Sequence, residues 1–190
     1  RVHVEHEVLL SEPPGASSED RERAAAILFA EHGVRALHVC AAPLLAMYST
    51  DFDTGILVDM GKHTAFVYAI YAGLAVLDAA TAHPIEHAPP GEGDTDEVPG
   101  VREALLKTIA LADTSLREAL LANIVVIGGG SMLAAFPERL ERDLTSALSR
   151  TAWKPRVKAN AGRRVSCWMG GATFSGMPSA QERFVTRADY

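Results

Sequence analysis

Residues 123–133 read Asn-Ile-Val-Val-Ile-Gly-Gly-Gly-Ser-Met-Leu, and no other stretch limits the fold as strongly. Ile124, Val125, Val126 and Ile127 form an unbroken β-branched run, the pattern of a strand buried on both faces as in a parallel sheet. Gly128, Gly129, Gly130 and Ser131 follow. From Ser131 to Ser149 the apolar residues Met132, Leu133, Phe136, Leu140, Leu144 and Leu148 recur at helical steps. The expectation is a strand, a glycine turn and a helix N-terminus. Glycines let a bound group approach the backbone closely, and a helix start adds unpaired amides and a positive dipole end. An anionic ligand such as a nucleotide fits there. So does a tight strand-to-helix turn with no ligand, and the local pattern does not separate the two.

The chain has 190 residues, nearly half of them apolar, enough for one domain or two small ones with a real core. Its net charge is −6 with acids and bases interspersed, and no basic stripe argues for nucleic acid. No apolar run reaches 18 residues, so nothing is expected to span a membrane. The charged start, Arg1 to Glu7, lacks the apolar run of a signal peptide, and without an initiator Met a fragment or truncated product is one reading. Cys40 and Cys167 sit in apolar runs without metal-ligand spacing, which suits a reducing, cytoplasmic compartment.

In chain order, Val8 to Leu10 reads as a short strand ending at a proline turn. Ser17 or Ser18 caps a helix that Gly33 stops, Val34 to Cys40 is a strand, and Pro43 opens a further helix. Residues 55–78 read as a three-stranded meander, with strands at Gly55–Asp59, Thr64–Tyr71 and Leu74–Leu77. Asp59 followed by Gly61 at its first turn suits a metal-bound phosphate, with backbone amides around the anion, and equally suits a plain turn. Residues 79–100 are rich in acids, Pro and Gly and read as a loop; His83 and His87, with Pro84 between them, read as loop histidines rather than metal ligands. Val101 to Leu121 is amphipathic with a break at Asp113 and Thr114. A strand at Trp153–Lys158, a polar turn at Asn160–Arg164 and a short helix at Phe184–Tyr190 complete the expectation. No Gly-x-Ser-x-Gly, no Gly-x-x-x-x-Gly-Lys-Ser/Thr and no nucleophile–base constellation is present.

Taken together these segments resemble the actin family, in the family's order and over most of the chain. Val8-Leu-Leu-Ser-Glu-Pro-Pro resembles the segment before a helix of subdomain 1. Asp53-Thr-Gly-Ile-Leu-Val-Asp-Met-Gly resembles the second phosphate loop, and Ile70-Tyr-Ala-Gly the close of its hairpin. Leu121 to Leu133 resembles the adenosine-side glycine motif, and Ser166-Cys-Trp-Met-Gly-Gly-Ala the late Ser-x-Trp-x-Gly-Gly motif. The wording is closer to divergent actin-related proteins, the dynactin pointed-end subunit among them, than to conventional actin.

The resemblance implies an α/β, partial actin/RNase H-like fold: the second half of subdomain 1 plus subdomain 3, without subdomains 2 and 4. Residues 1–52 and 165–190 would make the subdomain-1-like portion, 53–79 and 101–164 the subdomain-3-like portion, and 80–100 an acidic loop in place of subdomain 4. It also implies a site for ATP or ADP with Mg²⁺ at Asp59, Gly61, Lys62, Gly128, Gly129, Gly130, Ser131, Met132 and Arg164, with Asp59 toward the metal. The departures weaken that site. The family's Asp-Ser-Gly-Asp-Gly reads Asp59-Met60-Gly61-Lys62-His63, the water-orienting Gln aligns with Ala42, and the adenine-side Lys aligns with Arg164. Hydrolysis needs clamped phosphates, a held Mg²⁺ and an oriented water, so no efficient ATPase and no catalytic residue is expected. The first phosphate-loop hairpin is absent from these residues, which leaves the sheet holding residues 6–12 and 36–40 with an open edge that invites pairing. The expected role is structural: a cytoplasmic actin-like subunit assembling with itself or with other actin-family subunits. The alternatives are a nucleotide-binding ATPase switch of the actin, sugar-kinase and chaperone-ATPase fold, and a truncated fragment without function.

Overall fold

The computed structural model describes residues 6–13, 15–50, 53–84 and 100–190. They form two compact units, one from residues 1–50 and 167–190, the other from residues 51–166.

The first unit is built on a three-stranded sheet. Strand β1 (Glu7–Glu12) pairs in parallel with β2 (Ala36–Ala41), with Val8 opposite Leu37 and Leu10 opposite Val39. Between them runs α1 (Ser18–Ala26), whose N-cap Ser17 accepts a hydrogen bond from the Asp20 amide, a contact of about 1 kcal/mol. The helix continues as a wider π turn (Ile27–Glu31), and Gly33 at φ +63° ends it. Phe29, Val34 and Leu37 are the buried centre of this layer. After β2 comes α2 (Ala42–Met47), with Pro43 in its first turn. The C-terminal stretch contributes α6 (Ser166–Ser175), α7 (Pro178–Gln181) and β8 (Val185–Thr186).

The tail differs from expectation. Phe184 to Tyr190 is not a helix: β8 pairs antiparallel with β2, Val185 opposite Leu37, and Tyr190 stacks on Phe29 at 4.7 Å. The β-branched Val185–Thr186 pair finds a vacant strand edge, and tertiary pairing overrides the weak local helical pattern. The resulting order is β1-β2-β8, and among the described residues no strand pairs with the outer edge of β1.

The second unit carries a five-stranded sheet in the order β5-β4-β3-β6-β7. Its strands are β3 (Gly55–Met60), β4 (Thr64–Tyr71), β5 (Leu74–Pro84), β6 (Ile124–Ile127) and β7 (Val157–Lys158). The meander is present, and β6 lies parallel to β3, with Ile56 opposite Ile124 and Asp59 opposite Ile127. One face of the sheet (Ile56, Val58, Met60, Ala65, Val67, Ala69, Ile124, Val126) packs on three helices. They are α3 (Val101–Leu111), α4 (Arg117–Leu121) and α5 (Phe136–Ala147), which bury Leu105, Ile109, Leu120, Leu121, Leu140 and Leu144. Each such side chain contributes about 1.5–3 kcal/mol of hydrophobic stabilisation. The break between α3 and α4 falls where expected, because the Asp113 carboxylate accepts both the amide and the hydroxyl of Ser115 and caps a turn there.

Three segments depart from the reading of the sequence. β5 runs on to Pro84, so residues 79–84 are strand rather than loop and His83 sits opposite Ala65. The expected loop residues 85–99, with His87, lie outside the described residues. The register jumps where Tyr68 opposes Ala80 and Ala69 opposes Val76, so β5 carries a bulge that conceals its length. The strand expected at 153–158 shrinks to Val157–Lys158, since Pro155 has no amide for the ladder. There Glu141 of α5 accepts the Val157 amide at 2.7 Å and pairs with Arg156 at 3.2 Å. The helix expected from Ser131 to Ser149 starts only at Phe136. A 3₁₀ turn (Gly129–Met132) precedes it and Ala135 takes φ +51°. Met132 and Leu133 match the helical period, yet both are exposed.

Among the described residues, no helix is long and apolar enough to cross a membrane.

Candidate functional site

The residues singled out around the two glycine turns all belong to the second unit. Strand β3 ends at Met60, and the Gly61 amide donates to the Thr64 carbonyl at 3.0 Å, closing the turn Gly61-Lys62-His63 into β4. That amide, expected to face a phosphate, is therefore already taken. Because β6 is the parallel neighbour of β3, its own exit at Gly128 lies directly beside this turn.

The glycines there have separable reasons. Gly128 has φ +87°, and a Cβ on it would stand 2.4 Å from the Met60 carbonyl oxygen and 2.7 Å from Asp59 Oδ1. A Cβ on Gly130 would stand 2.7 Å from the Gly61 carbonyl oxygen. These two are glycine so that one turn can lie on the other. Gly129 is different: a Cβ there meets nothing within 4 Å, so a ligand can reach its backbone. The structure thus brings Asp59, Gly61, Gly128, Gly129 and Gly130 together.

Ser131 closes the turn from inside. It is buried, its hydroxyl donates to the Gly128 carbonyl at 2.7 Å, and its amide donates to the same oxygen at 3.2 Å. The Gly128 amide donates to the Arg163 carbonyl at 2.9 Å, and Arg163 donates through Nε and Nη2 to the Ser131 carbonyl at 3.3 and 3.2 Å. Arg163 is the brace of the glycine turn, and sequence reasoning passed over it for its neighbour Arg164. The adjacent arginines were visible in the sequence, but nothing there told which one turns inward. Arg164, Lys62 and Met132 are exposed. The helix dipole expected behind Ser131 is displaced, since α5 begins five residues later, at Phe136.

Asp59 is half-buried, and burial pushes its carboxyl up, with no neighbouring cation or donor offsetting it among the described residues. Tyr68, two residues along β4 from Asp59's partner Phe66 and on the same sheet face, is buried with its hydroxyl unpartnered. Burial, and then the Asp59 charge, push that hydroxyl above the ordinary tyrosine range. The alternation Phe66, Tyr68, Ile70 was the signal for Tyr68: a polar group on the face that holds Asp59. Among the described residues no cluster of three His, Cys, Asp or Glu side chains could hold a metal. One carboxylate with substrate phosphates is an ordinary setting for Mg²⁺, so Asp59 fits that role only alongside a bound nucleotide.

Fold and site together define a mixed α/β protein with a partial actin-like architecture, two mixed sheets and a glycine turn laid against a hairpin. The family model for actin matches residues 2–87 and 80–190, and the chain belongs to the actin family. It is 25% identical over 264 aligned positions to actin-like protein 7B of Macaca fascicularis and of Homo sapiens, covering 98% of this chain and 63% of each relative. To actin-like protein 7A of Rattus norvegicus it is 24% identical over 261 positions, covering 98% of this chain and 59% of the relative. The chain therefore spans about three fifths of the length of these relatives. The alignments are longer than the chain itself, so the relatives carry residues inside the matched span that this chain lacks.

Proposed function

We propose that this chain is an actin-related subunit that works by assembling with itself or with other actin-family subunits, in the cytoplasm, and not by turning over ATP. The observation that carries this reading is the turn at 59–63. Where the family pattern places a serine, Met60 is wholly buried in the core of the second unit, and the family's second acid is Lys62, an exposed cation. Asp59 is the one carboxylate left, and the Gly61 amide is held by Thr64. Ala42, at the position of the water-orienting Gln, offers only a methyl group. Positioning and charge stabilisation make up nearly all of the catalysis of phosphoryl transfer, so losing both leaves little rate enhancement.

ATP or ADP with Mg²⁺ remains a ligand in this reading, bound without efficient hydrolysis. The bound group would lie at the Gly129 backbone, with Asp59 toward the metal's water shell and Lys62 and Arg164 supplying charge. When present, Mg²⁺ neutralises the phosphates; this chain's own part is to place amides and one carboxylate around them. Assembly is favoured by the outer edge of β1, which has no strand partner among the described residues and can accept a strand from this chain or another copy.

Sedimentation velocity of the full chain, with and without Mg-ATP, tests the proposal. The expected outcome is assembly with negligible phosphate release. A stable monomer at every concentration that also fails to co-sediment with actin-family subunits, or phosphate release at the rate of conventional actin, overturns it.

A further inference from the structure

The first unit joins two stretches far apart in sequence, and α6 docks on β2 and α2 through one face. Phe174 stacks on His38 of β2, ring centroids 5.4 Å apart. One turn earlier, Gly170 lies so close to α2 that a Cβ would stand 1.7 Å from the Leu45 carbonyl oxygen. Another turn earlier is Cys167, on the same face by its spacing of three and seven residues. Cys40 stands two residues beyond His38 and so on the same face of β2. Both cysteines pack against one buried cluster of Leu45, Phe174 and Ala180. His38 and Phe174 form one row of this docking face, and the spacing along β2 and α6 places Cys40 and Cys167 in the next, against the same cluster. Neither cysteine is in a disulfide. Burial pushes the Cys40 thiol up, with Arg183 acting against it and Cys167 adding to it.

We propose that Cys40 and Cys167 are a reversible dithiol–disulfide pair, a modification site whose oxidant is a hydroperoxide. Cys167 reacts first: its sulfur attacks the peroxide, the O–O bond breaks, the thiol's proton passes to the departing oxygen, which leaves as water or an alcohol, and Cys167 is left as a sulfenic acid. The Cys40 sulfur then displaces the hydroxyl from the Cys167 sulfur. Its proton leaves with that hydroxyl as water, and the S–S bond forms. Two thiols are oxidised and one peroxide is reduced. The product links the two distant stretches of the first unit covalently, closing a loop of more than a hundred residues.

The test uses the full chain treated with stoichiometric hydrogen peroxide and mapped as peptides without reductant. A cross-linked Cys40–Cys167 peptide is expected, reversed by dithiothreitol, with the Tm of the oxidised chain raised by about 5–10 °C. Cys40→Ser is expected to leave Cys167 as a sulfenic acid that a dimedone probe traps. Two thiols still open to alkylation after peroxide treatment, or only intermolecular dimers, overturn the proposal, and that result needs no variant to fold.

Discussion

Two glycine clusters look alike in the sequence and answer to different demands. Gly170-Gly171 lies mid-helix in α6, where glycine weakens a helix by about 1 kcal/mol relative to alanine. That cost is accepted because a Cβ on Gly170 would meet the Leu45 carbonyl at a separation no side chain permits, while one on Gly171 would make only ordinary contact with Leu9 and Leu45. Gly128-Gly129-Gly130 follows a strand, and there two glycines serve backbone packing while the middle one faces open space. A glycine run is therefore not evidence of a ligand until each residue is asked what a Cβ would meet. One position in five passes that test here.

The sharpest way to break the comparison is Gly170→Ala. With backbone on both sides of the clash, α6 must shift off α2, and a loss of more than about 3 kcal/mol is expected by urea unfolding. Gly128→Ala is expected to cost about 2–3 kcal/mol, from its positive φ and its clash with Met60 together. Gly129→Ala is its control: stability within about 0.5 kcal/mol of the parent, but weaker Mg-ATP binding by calorimetry if the ligand lies at that backbone. Equal losses of stability at 128 and 129 would refute the division of roles.

The smallest effects are in pH, and they separate the two units by sign. His38 has its Nε2 buried without a partner, and burial, with Arg183 nearby, holds its imidazole below the ordinary value of 6.5. As pH falls below 6.5, the unfolded chain binds a proton that the folded imidazole resists, so stability declines; His38→Phe is expected to flatten this limb. Asp59 runs the other way. Its carboxyl is raised above 3.8, so as pH rises past 3.8 the unfolded chain releases a proton that the folded one keeps. That contribution is lost through the raised folded value, and Asp59→Asn is expected to stabilise the protein at neutral pH. Thermal melts of each variant against pH check both signs.

Much of the fold was legible because burial repeats. The β-branched run of β6, the alternation of β4 and the capping Ser17 each state their element locally. The errors fall where a distant partner decides. Val185–Thr186 becomes a strand only because β2 offers an edge, and β5 is long only because β4 holds it past a bulge. Met132 and Leu133 match the period of α5 but stop short of it, since the turn must first settle onto Gly61. In the site, the meeting of the two glycine turns was legible, whereas the inward turn of Arg163 and the buried hydroxyl of Tyr68 depend on three-dimensional neighbours that no spacing encodes.

The grip of Glu141 on the Val157 amide bears on growth. A strand two residues long, whose outward amide is already occupied by its own helix, gives an arriving chain no template to copy. On that side the five-stranded sheet is finished, and runaway ribbon-like stacking has nowhere to begin. In the assembly proposed above, contacts across this border would be made by side chains, which a single substitution can tune or abolish.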